Sequence, residues 1–266
     1  MRLVDDCGYI ATSFRTLMPC RGHRPPSVDE AVGIAAAAGV PCVIAGGSDL
    51  PAKFNAGLVP TDLIDVGGIP DLKTVEREAG GLVIGACVTH HDGAAHPLVR
   101  DYAPGFAATW GKIANVRVRF SATVGGNLMA RQTRYEGAIL LSALGARARF
   151  RGPSGAFEIP VEDIFRADLA KGSLLTAVVL PGRRGLRFDY ERSLRPIMTQ
   201  SVATADDGFG RVVTATEFAP PVVRRLDAER RPQGPVELCD PVTSAGYLRR
   251  VSDVFLSRQL ARIAAS

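Results

Sequence analysis

The spacing of apolar and polar positions changes along the chain, from short apolar runs to helical periods. This pattern predicts a mixed fold of helices and short strands. Residues 42–45 and 62–66 are short apolar runs typical of buried strands. Helical spacing between about residues 27 and 38, and again after Asp49, predicts two helices beside them. We therefore expect a first α/β lobe that ends near residue 78.

A second lobe follows, with more helices. Strand-like runs occupy residues 82–86, 146–151 and 174–180, and helical patterns occupy residues 98–101, 104–114 and 137–144. The Pro-Gly-Arg-Arg-Gly stretch that follows the last strand predicts a linker. The lobes together cover residues 24–78 and 79–182.

The last part of the chain predicts a small α+β domain. Alternation in residues 186–190, 199–205 and 211–217 indicates an antiparallel sheet, and residues 244–264 have a helical pattern. We assign residues 186–266 to this domain. Residues 1–23 match no recognisable pattern and are expected to be an N-terminal arm of unknown role, either extended on a partner or frayed.

Two Gly-Gly pairs carry the candidate chemistry. The first glycine segment is residues 45–50 (Ala-Gly-Gly-Ser-Asp-Leu), and the second is residues 122–128 (Ala-Thr-Val-Gly-Gly-Asn-Leu). Paired glycines leave backbone N–H groups unshielded and tolerate positive φ, so each segment can wrap around phosphate oxygens. In the first, Ser48 or Asp49 can cap a following helix whose first turn accepts Pro51. Each pair alone is equally compatible with a tight turn or a bulge, but together they predict the two sides of one diphosphate site.

Composition favours an ordinary globular protein over a nucleic-acid-binding or membrane-spanning one. The 266 residues are 46% hydrophobic and 22% charged, as in ordinary soluble proteins. The net charge of +5 comes from 28 arginines and 4 lysines scattered among 27 acidic residues, with no basic run longer than two. We therefore expect no nucleic-acid binding. No apolar stretch is long enough to predict a membrane span.

Cysteine and histidine positions argue against metal chemistry in this chain. The five cysteines are widely spaced, without a C-x-x-C pattern, so no iron–sulfur cluster is expected. Their odd number and the lack of a signal peptide predict a reducing cytoplasm. The four histidines have no ligand-like spacing, and no nucleophile–base grouping predicts catalytic residues. His90 and His91 follow the strand at 82–86 and could face a bound cofactor.

Neither a G-x-G-x-x-G nor a G-x-x-x-x-G-K-[ST] pattern is present, which argues against Rossmann and P-loop folds. The chain instead resembles the FAD-binding medium subunits of molybdenum hydroxylases, the family of carbon monoxide, nicotinate and xanthine dehydrogenases. Besides the two glycine segments, the resemblance rests on several stretches in the same order, namely residues 24–31, 63–72, 82–86, 89–90, 96–99 and 243–250.

The resemblance implies fold, function and partners. The fold is a two-lobed FAD-binding domain of the PCMH (vanillyl-alcohol oxidase-like) type, followed by a CO dehydrogenase flavoprotein-like C-terminal α+β domain. The chain then carries FAD and passes electrons from [2Fe-2S] clusters in a small partner subunit to an external acceptor. A large partner subunit holds the molybdenum cofactor and selects the substrate, and the complex is expected to be a dimer of heterotrimers.

The resemblance also implies the cofactor contacts. The expected FAD-binding residues are Val43, Ile44, Ala45, Gly46, Gly47, Ser48, Asp49, Leu50, Ile113, Thr123, Val124, Gly125, Gly126, Asn127, Glu136, Leu175 and Arg192. Ser48 stands where some relatives have histidine, and the segment has no cysteine, so we expect non-covalent FAD.

Several assignments keep a second interpretation. Core packing at the end of the helix at 104–114 is the better explanation of Ile113, and core packing is also an adequate explanation of Leu175. Glu136 stands where an Asp commonly contacts the cofactor, and its neighbours Arg131 and Arg134 either approach the cofactor or are solvated surface charges. Arg192 lies where some relatives have lysine. The stretch 231–235 replaces a longer helical connection, so the C-terminal domain is expected to be contracted.

Two other functions are compatible with the sequence. One is a stand-alone FAD-dependent oxidase or reductase, which would need its own substrate pocket. The other is a scaffold subunit that has lost its flavin, suggested by the changed residues 129–136 and opposed by the intact Gly-Gly pairs.

Overall fold

The computed structural model describes residues 20–78, 80–193, 197–235, 238 and 240–265. Three sheets organise this part of the chain. Residues 1–19 of the expected N-terminal arm lie outside the described residues. Residues 21–23 of that arm form a sheet strand instead.

The first sheet is parallel and has the strand order β1-β3-β2. Its elements in chain order are β1 (Arg21–His23), α1 (Val28–Ala37), β2 (Pro41–Ile44), α2 (Leu50–Asn55) and β3 (Asp62–Asp65). Helix α1 begins at its N-cap Ser27, whose hydroxyl accepts from the Glu30 N–H, and it buries Ala31, Val32 and Ala35. The carboxylate of Asp62 binds Arg21 and His23 and thereby ties β1 to β3.

The second sheet is antiparallel and has the strand order β4-β5-β8-β6-β7. Its strands are β4 (Val75–Glu78), β5 (Gly81–Gly85), β6 (Arg147–Gly152), β7 (Gly155–Pro160) and β8 (Leu174–Leu180). A 3₁₀ turn, Pro70–Lys73, leads into β4 and a second one, Val161–Phe165, follows β7. Strand β4 pairs with β5, so the chain enters the second sheet before residue 78, where the sequence placed the end of the first lobe.

Six helices follow β5 in the chain before β6. They are α3 (His90–Ala95), α4 (Pro97–Tyr102), α5 (Pro104–Trp110), α6 (Val116–Ser121), α7 (Val124–Met129) and α8 (Glu136–Ala143). Helix α5 ends at Trp110 instead of the predicted residue 114. Helix α8 is buried from Gly137 to Ala143, because α5, α7, the 3₁₀ turn Val161–Phe165 and the third sheet all pack against it.

The third sheet is antiparallel, with the order β12-β11-β10-β9. Its strands are β9 (Arg187–Arg192), β10 (Met198–Thr204), β11 (Gly210–Thr216) and β12 (Val222–Arg225), and α9 (Ala245–Ala264) packs on them. Buried polar side chains join helix to sheet: Gln200 bonds Gln259 and the Ser252 carbonyl oxygen. The predicted α+β class, with an antiparallel C-terminal sheet and a final helix, is confirmed.

Candidate functional site

A cavity of about 410 Å³ lies between the two glycine segments. This volume is in the range of cofactor pockets. Most of the predicted site residues line it, namely Val43, Ala45, Gly46, Gly47, Ser48, Asp49, Leu50, Ile113, Thr123, Gly126, Asn127 and Glu136. The folding of the chain thus brings together residues from both lobes.

The first glycine segment offers its backbone to the cavity. None of the N–H groups from Ala45 to Leu50 donates a hydrogen bond to another described residue. Gly47 has φ +65°, a conformation that costs a side-chain-bearing residue energy. A Cβ on Gly46 would lie 1.8 Å from the carbonyl oxygen of Ser121, so this glycine lets the two lobes meet backbone to backbone.

The second glycine segment uses its backbone differently. It is the first turn of α7, not a loop, and Thr123 caps it by accepting from the Gly126 N–H. The Val124 and Gly125 N–H groups donate to Val88 and Ala86 carbonyl oxygens, and the Asn127 N–H donates to Thr123. Among the N–H groups of residues 122–127, that of Thr123 alone finds no acceptor in the described part of the chain. The prediction of a second set of free donors is therefore corrected: this turn mostly supports the cavity wall.

Asp49 is held by side chains from both lobes. It is the N-cap residue of α2, but its carboxylate does not cap the helix as predicted. Its Oδ1 accepts from the Tyr135 hydroxyl at 2.6 Å, and its Oδ2 lies 3.0 Å from Lys53 Nζ. Burial opposes ionisation, but the hydrogen bonds from Tyr135 and Lys53 outweigh it and lower the pKa of Asp49.

The remaining lining has the composition that a dinucleotide needs. Lys53 and Arg134 supply positive charge near the free N–H groups, and Ile113, Val118 and Met129 supply apolar surface. Free backbone donors with nearby cations suit a diphosphate, and apolar walls suit an aromatic ring. The residues present therefore fit FAD.

Glu136 lies where the cavity meets the C-terminal domain. Its carboxylate accepts a short hydrogen bond from the Tyr190 hydroxyl, and Arg192 Nη1 lies 3.2 Å away. Burial, followed by the charge of Glu136, raises the pKa of Tyr190, which keeps that hydroxyl protonated as a donor. Glu136 thus joins α8 to β9 while it lines the cavity.

Five predicted residues do not line this cavity. Val124 and Leu175 are buried in the main hydrophobic core, as the packing interpretation of Leu175 anticipated. Gly125 packs on Ala86, and Ile44 lies beneath Gly47. Arg192 contacts Glu136 and lines a neighbouring cavity.

His90 and Arg134 also line the cavity, as one interpretation of each anticipated, whereas the other lining residues were not predicted, namely Lys53, Ala114, Val118, Ala122, Met129, Ala130 and Tyr135. Lys53 could have been predicted from the sequence, because it follows Asp49 by one helical turn. Tyr135 could not, because its hydrogen bond to Asp49 joins residues that are far apart in the sequence. Ala114 has φ +50°, which is uncommon for a residue with a side chain.

Across the described ranges, no three His, Cys, Asp or Glu side chains cluster as metal ligands would. None of the helices described is long and apolar enough to cross a membrane.

Known proteins resemble this chain. Residues 18–183 match the family described as the FAD binding domain in molybdopterin dehydrogenase. The chain is 30% identical over 190 residues to the carbon monoxide dehydrogenase medium chain of Afipia carboxidovorans, covering 69% of this chain and 66% of that protein. It is 28% identical over 168 residues to the nicotine 6-hydroxylase medium subunit of Paenarthrobacter nicotinovorans, covering 61% and 59%.

Solved structures show the same fold. Cyanide-inactivated Cu,Mo-CO dehydrogenase contains a chain with a TM-score of 0.79 and 24% identity, covering 92% of this chain and 98% of that one. Quinoline 2-oxidoreductase from Pseudomonas putida 86 gives a TM-score of 0.78 at 20% identity, covering 94% and 99%. With the family match, these likenesses confirm the predicted PCMH-type FAD-binding fold.

Proposed function

The chain belongs to the family of FAD-binding domains in molybdopterin dehydrogenases, and on that premise we propose that it is the flavin-carrying electron-transfer subunit of a heteromeric molybdenum hydroxylase. Electrons from [2Fe-2S] clusters in a small partner subunit pass to FAD here and then to an external acceptor. A large partner subunit holds the molybdenum cofactor and oxidises the substrate. The sequence matches span less than two thirds of the curated relatives named above, so activity and partners are part of the proposal.

One observation carries the proposal: the backbone N–H groups of residues 45–50 find no acceptor among the described residues and belong to a cavity wall that also contains Lys53 and Arg134. In this cavity the free donors of residues 45–50 would hold the diphosphate of FAD, with Lys53 and Arg134 offsetting its charge. Bound FAD supplies one-electron and two-electron chemistry. The protein's own task is to bind the cofactor, orient it and exclude water.

The cavity side chains suit this task better than acid–base catalysis. The histidine in the wall, His90, uses Nδ1 to accept a hydrogen bond from Trp110. Asp49 and Glu136 are engaged with Tyr135 and Tyr190. Electron transfer needs no free protein base, so these side chains can serve entirely as structural supports for the cofactor.

The partners are inferred from the relatives, which are named medium chain and medium subunit. We propose a small iron–sulfur subunit, a large molybdenum subunit and a dimer of such heterotrimers. We place the protein in the cytoplasm, because the described cysteines Cys20, Cys42 and Cys87 are free thiols.

The test is to purify the tagged chain gently from its native host and to record its absorption spectrum, metal content and subunit composition. The proposal expects flavin bands, iron, molybdenum and two additional chains. Flavin on a solitary chain would instead identify a stand-alone flavoenzyme. A chain with its partners but without flavin would identify a scaffold subunit.

A further inference from the structure

His90 is a buried histidine in the wall of the cavity. It opens α3, its backbone N–H donates to the Ala122 carbonyl oxygen, and its side chain is only 1% exposed. The indole Nε1 of Trp110 lies 2.9 Å from its Nδ1. Trp110 is itself buried and stacks on Phe106, so this partner is held rigidly.

The contact with Trp110 fixes the position of the imidazole proton. An indole N–H can only donate, so His90 Nδ1 must accept and the proton of the neutral ring must be on Nε2. Nε2 is buried and has no hydrogen-bond partner in the described part of the chain. Burial also lowers the pKa of His90 to about 4, so the ring is neutral at physiological pH.

An unpaired buried donor destabilises a protein unless something supplies an acceptor. We propose that the Nε2–H of His90 donates a hydrogen bond to the bound cofactor and that Trp110 is the positioning residue that aims it. This inference rests on the proposed FAD site. The acceptors of FAD include the phosphate oxygens and the polar atoms of the flavin ring, and the same donor suits either.

Two substitutions distinguish the roles of the two ring nitrogens of His90. His90→Asn places an amide oxygen near the Nδ1 position, where it can still accept from Trp110, and removes the donor at Nε2. His90→Gln extends an amide N–H group toward the Nε2 position and gives up the contact with Trp110. The matched pair therefore distinguishes a cofactor contact from a purely structural role.

The measurement is the dissociation constant for FAD, by titration of the flavin-stripped full chain, together with the Tm of the flavin-free form. We expect His90→Asn to raise the Kd by about 5- to 10-fold and to melt at a higher temperature than His90→Gln, because its amide oxygen keeps an acceptor for the Trp110 N–H. We expect His90→Gln to bind FAD within about 2-fold of wild type but to melt earlier. An unchanged Kd for His90→Asn, or equal losses in both variants, would overturn the proposal.

Trp110→Phe provides a second approach that leaves His90 in place. Without the indole donor the imidazole can exchange tautomers, so we expect the Kd for FAD to rise by about 2- to 5-fold. Wild-type affinity in this variant would show that Trp110 does not position the ring.

The spectrum of bound FAD separates the two acceptor sources. A contact with the flavin ring shifts the visible bands in His90→Asn relative to wild type. A contact with phosphate leaves those bands in place and makes ADP lose affinity by the same factor as FAD. Failure of the wild-type chain to bind FAD would overturn the cofactor site itself, whereas wild-type binding with an unaffected His90→Asn would overturn only the role of His90.

Discussion

The two glycine segments are alike in sequence, but they differ in what their backbones do. The N–H groups of residues 45–50 have no acceptor among the described residues, and these residues line the cavity. In contrast, four of the N–H groups in residues 122–127 bond to carbonyl oxygens and one bonds to the Thr123 hydroxyl. The glycines differ accordingly. Gly47 permits a left-handed turn, while Gly125 permits α7 to pack closely on Ala86. A Gly-Gly pair therefore predicts close backbone approach, but the neighbouring elements decide whether it approaches a ligand or the protein itself.

The strongest test of this contrast is Gly46→Val, at the point where the two segments meet. The new Cβ would lie 1.8 Å from the Ser121 carbonyl oxygen, and backbone cannot yield as a flexible side chain can. We expect a loss of stability above about 3 kcal/mol and no retained FAD, measured by thermal melting and flavin absorbance. Gly33→Ala is the control, because nothing lies within 4 Å of that position in α1. A Gly46→Val protein with normal Tm and bound flavin would refute the backbone contact.

Gly126→Val separates cofactor binding from folding. A Cβ at this position meets only the Thr123 hydroxyl, at 3.1 Å, and otherwise projects into open space at the cavity wall. We expect FAD affinity to fall by about 2–3 kcal/mol, or roughly 30- to 150-fold, while the flavin-free protein keeps its Tm. Isothermal titration with FAD and melting curves measure both quantities. Unchanged affinity would mean that the cofactor does not approach Gly126.

Gly125→Ala tests whether the second glycine segment serves mainly to let α7 pack closely on Ala86. Its Cβ would lie 2.7 Å from the Ala86 Cβ and 2.8 Å from the Ala86 carbonyl oxygen, so α7 would have to move away from the end of β5. We expect a destabilisation of about 1–3 kcal/mol in denaturant unfolding. Gly126→Ala is the matched control, since the same added methyl group one residue later has more room. Equal stability of the two variants would contradict the different roles of the two glycines.

Lowering the pH should give the smallest effect on stability. It should act on the first glycine segment, which contains Asp49, and leave the second segment unaffected. Asp49 has a lowered pKa in the folded protein, so its stabilising contribution is complete above its ordinary value of 3.8 and is lost as the pH falls through the lower folded value. Residues 122–128 contain no titratable side chain. We expect the protection factors of the hydrogen-bonded Lys53 and Ala56 amides of the following helix, calculated against the intrinsic exchange rate at each pH, to fall first as the pH falls from about 5 toward about 3. In the Asp49→Asn variant that pH dependence should disappear, and its persistence would assign the effect to another group.

Much of the fold followed from hydrophobic spacing. The strands at 42–45, 174–180 and 199–205 and the long C-terminal helix were predictable, because each has a regular apolar pattern or a well-defined capping residue. Strand β1 was not predictable, because Arg21–His23 has no apolar alternation and is anchored by the distant Asp62. Helix α7 escaped prediction because two adjacent glycines disfavour a helix, and here the Thr123 cap and the packing on β5 outweigh that preference.

The site was predictable where a short stretch of chain forms it. The first glycine segment combined a strand, a Gly-Gly pair and a helix start, and the structure keeps all three together. The bond between Tyr135 and Asp49 and the orientation of His90 by Trp110 depend on residues far apart in the sequence. Spacing rules describe neighbours on one element, so they could not identify these pairs.

The unpaired N–H groups of residues 45–50 also bear on how such proteins diverge. Main-chain donors belong to every residue except proline, so this recognition surface can persist while most of its side chains are exchanged. What selection must preserve is the curvature of the segment, set by Gly46 and Gly47, and the neighbour that Gly46 touches. Distant homologues should therefore be sought by the shape of this turn rather than by residue identity, and redesign of the pocket can vary Ser48 and Leu50 long before it varies the glycines.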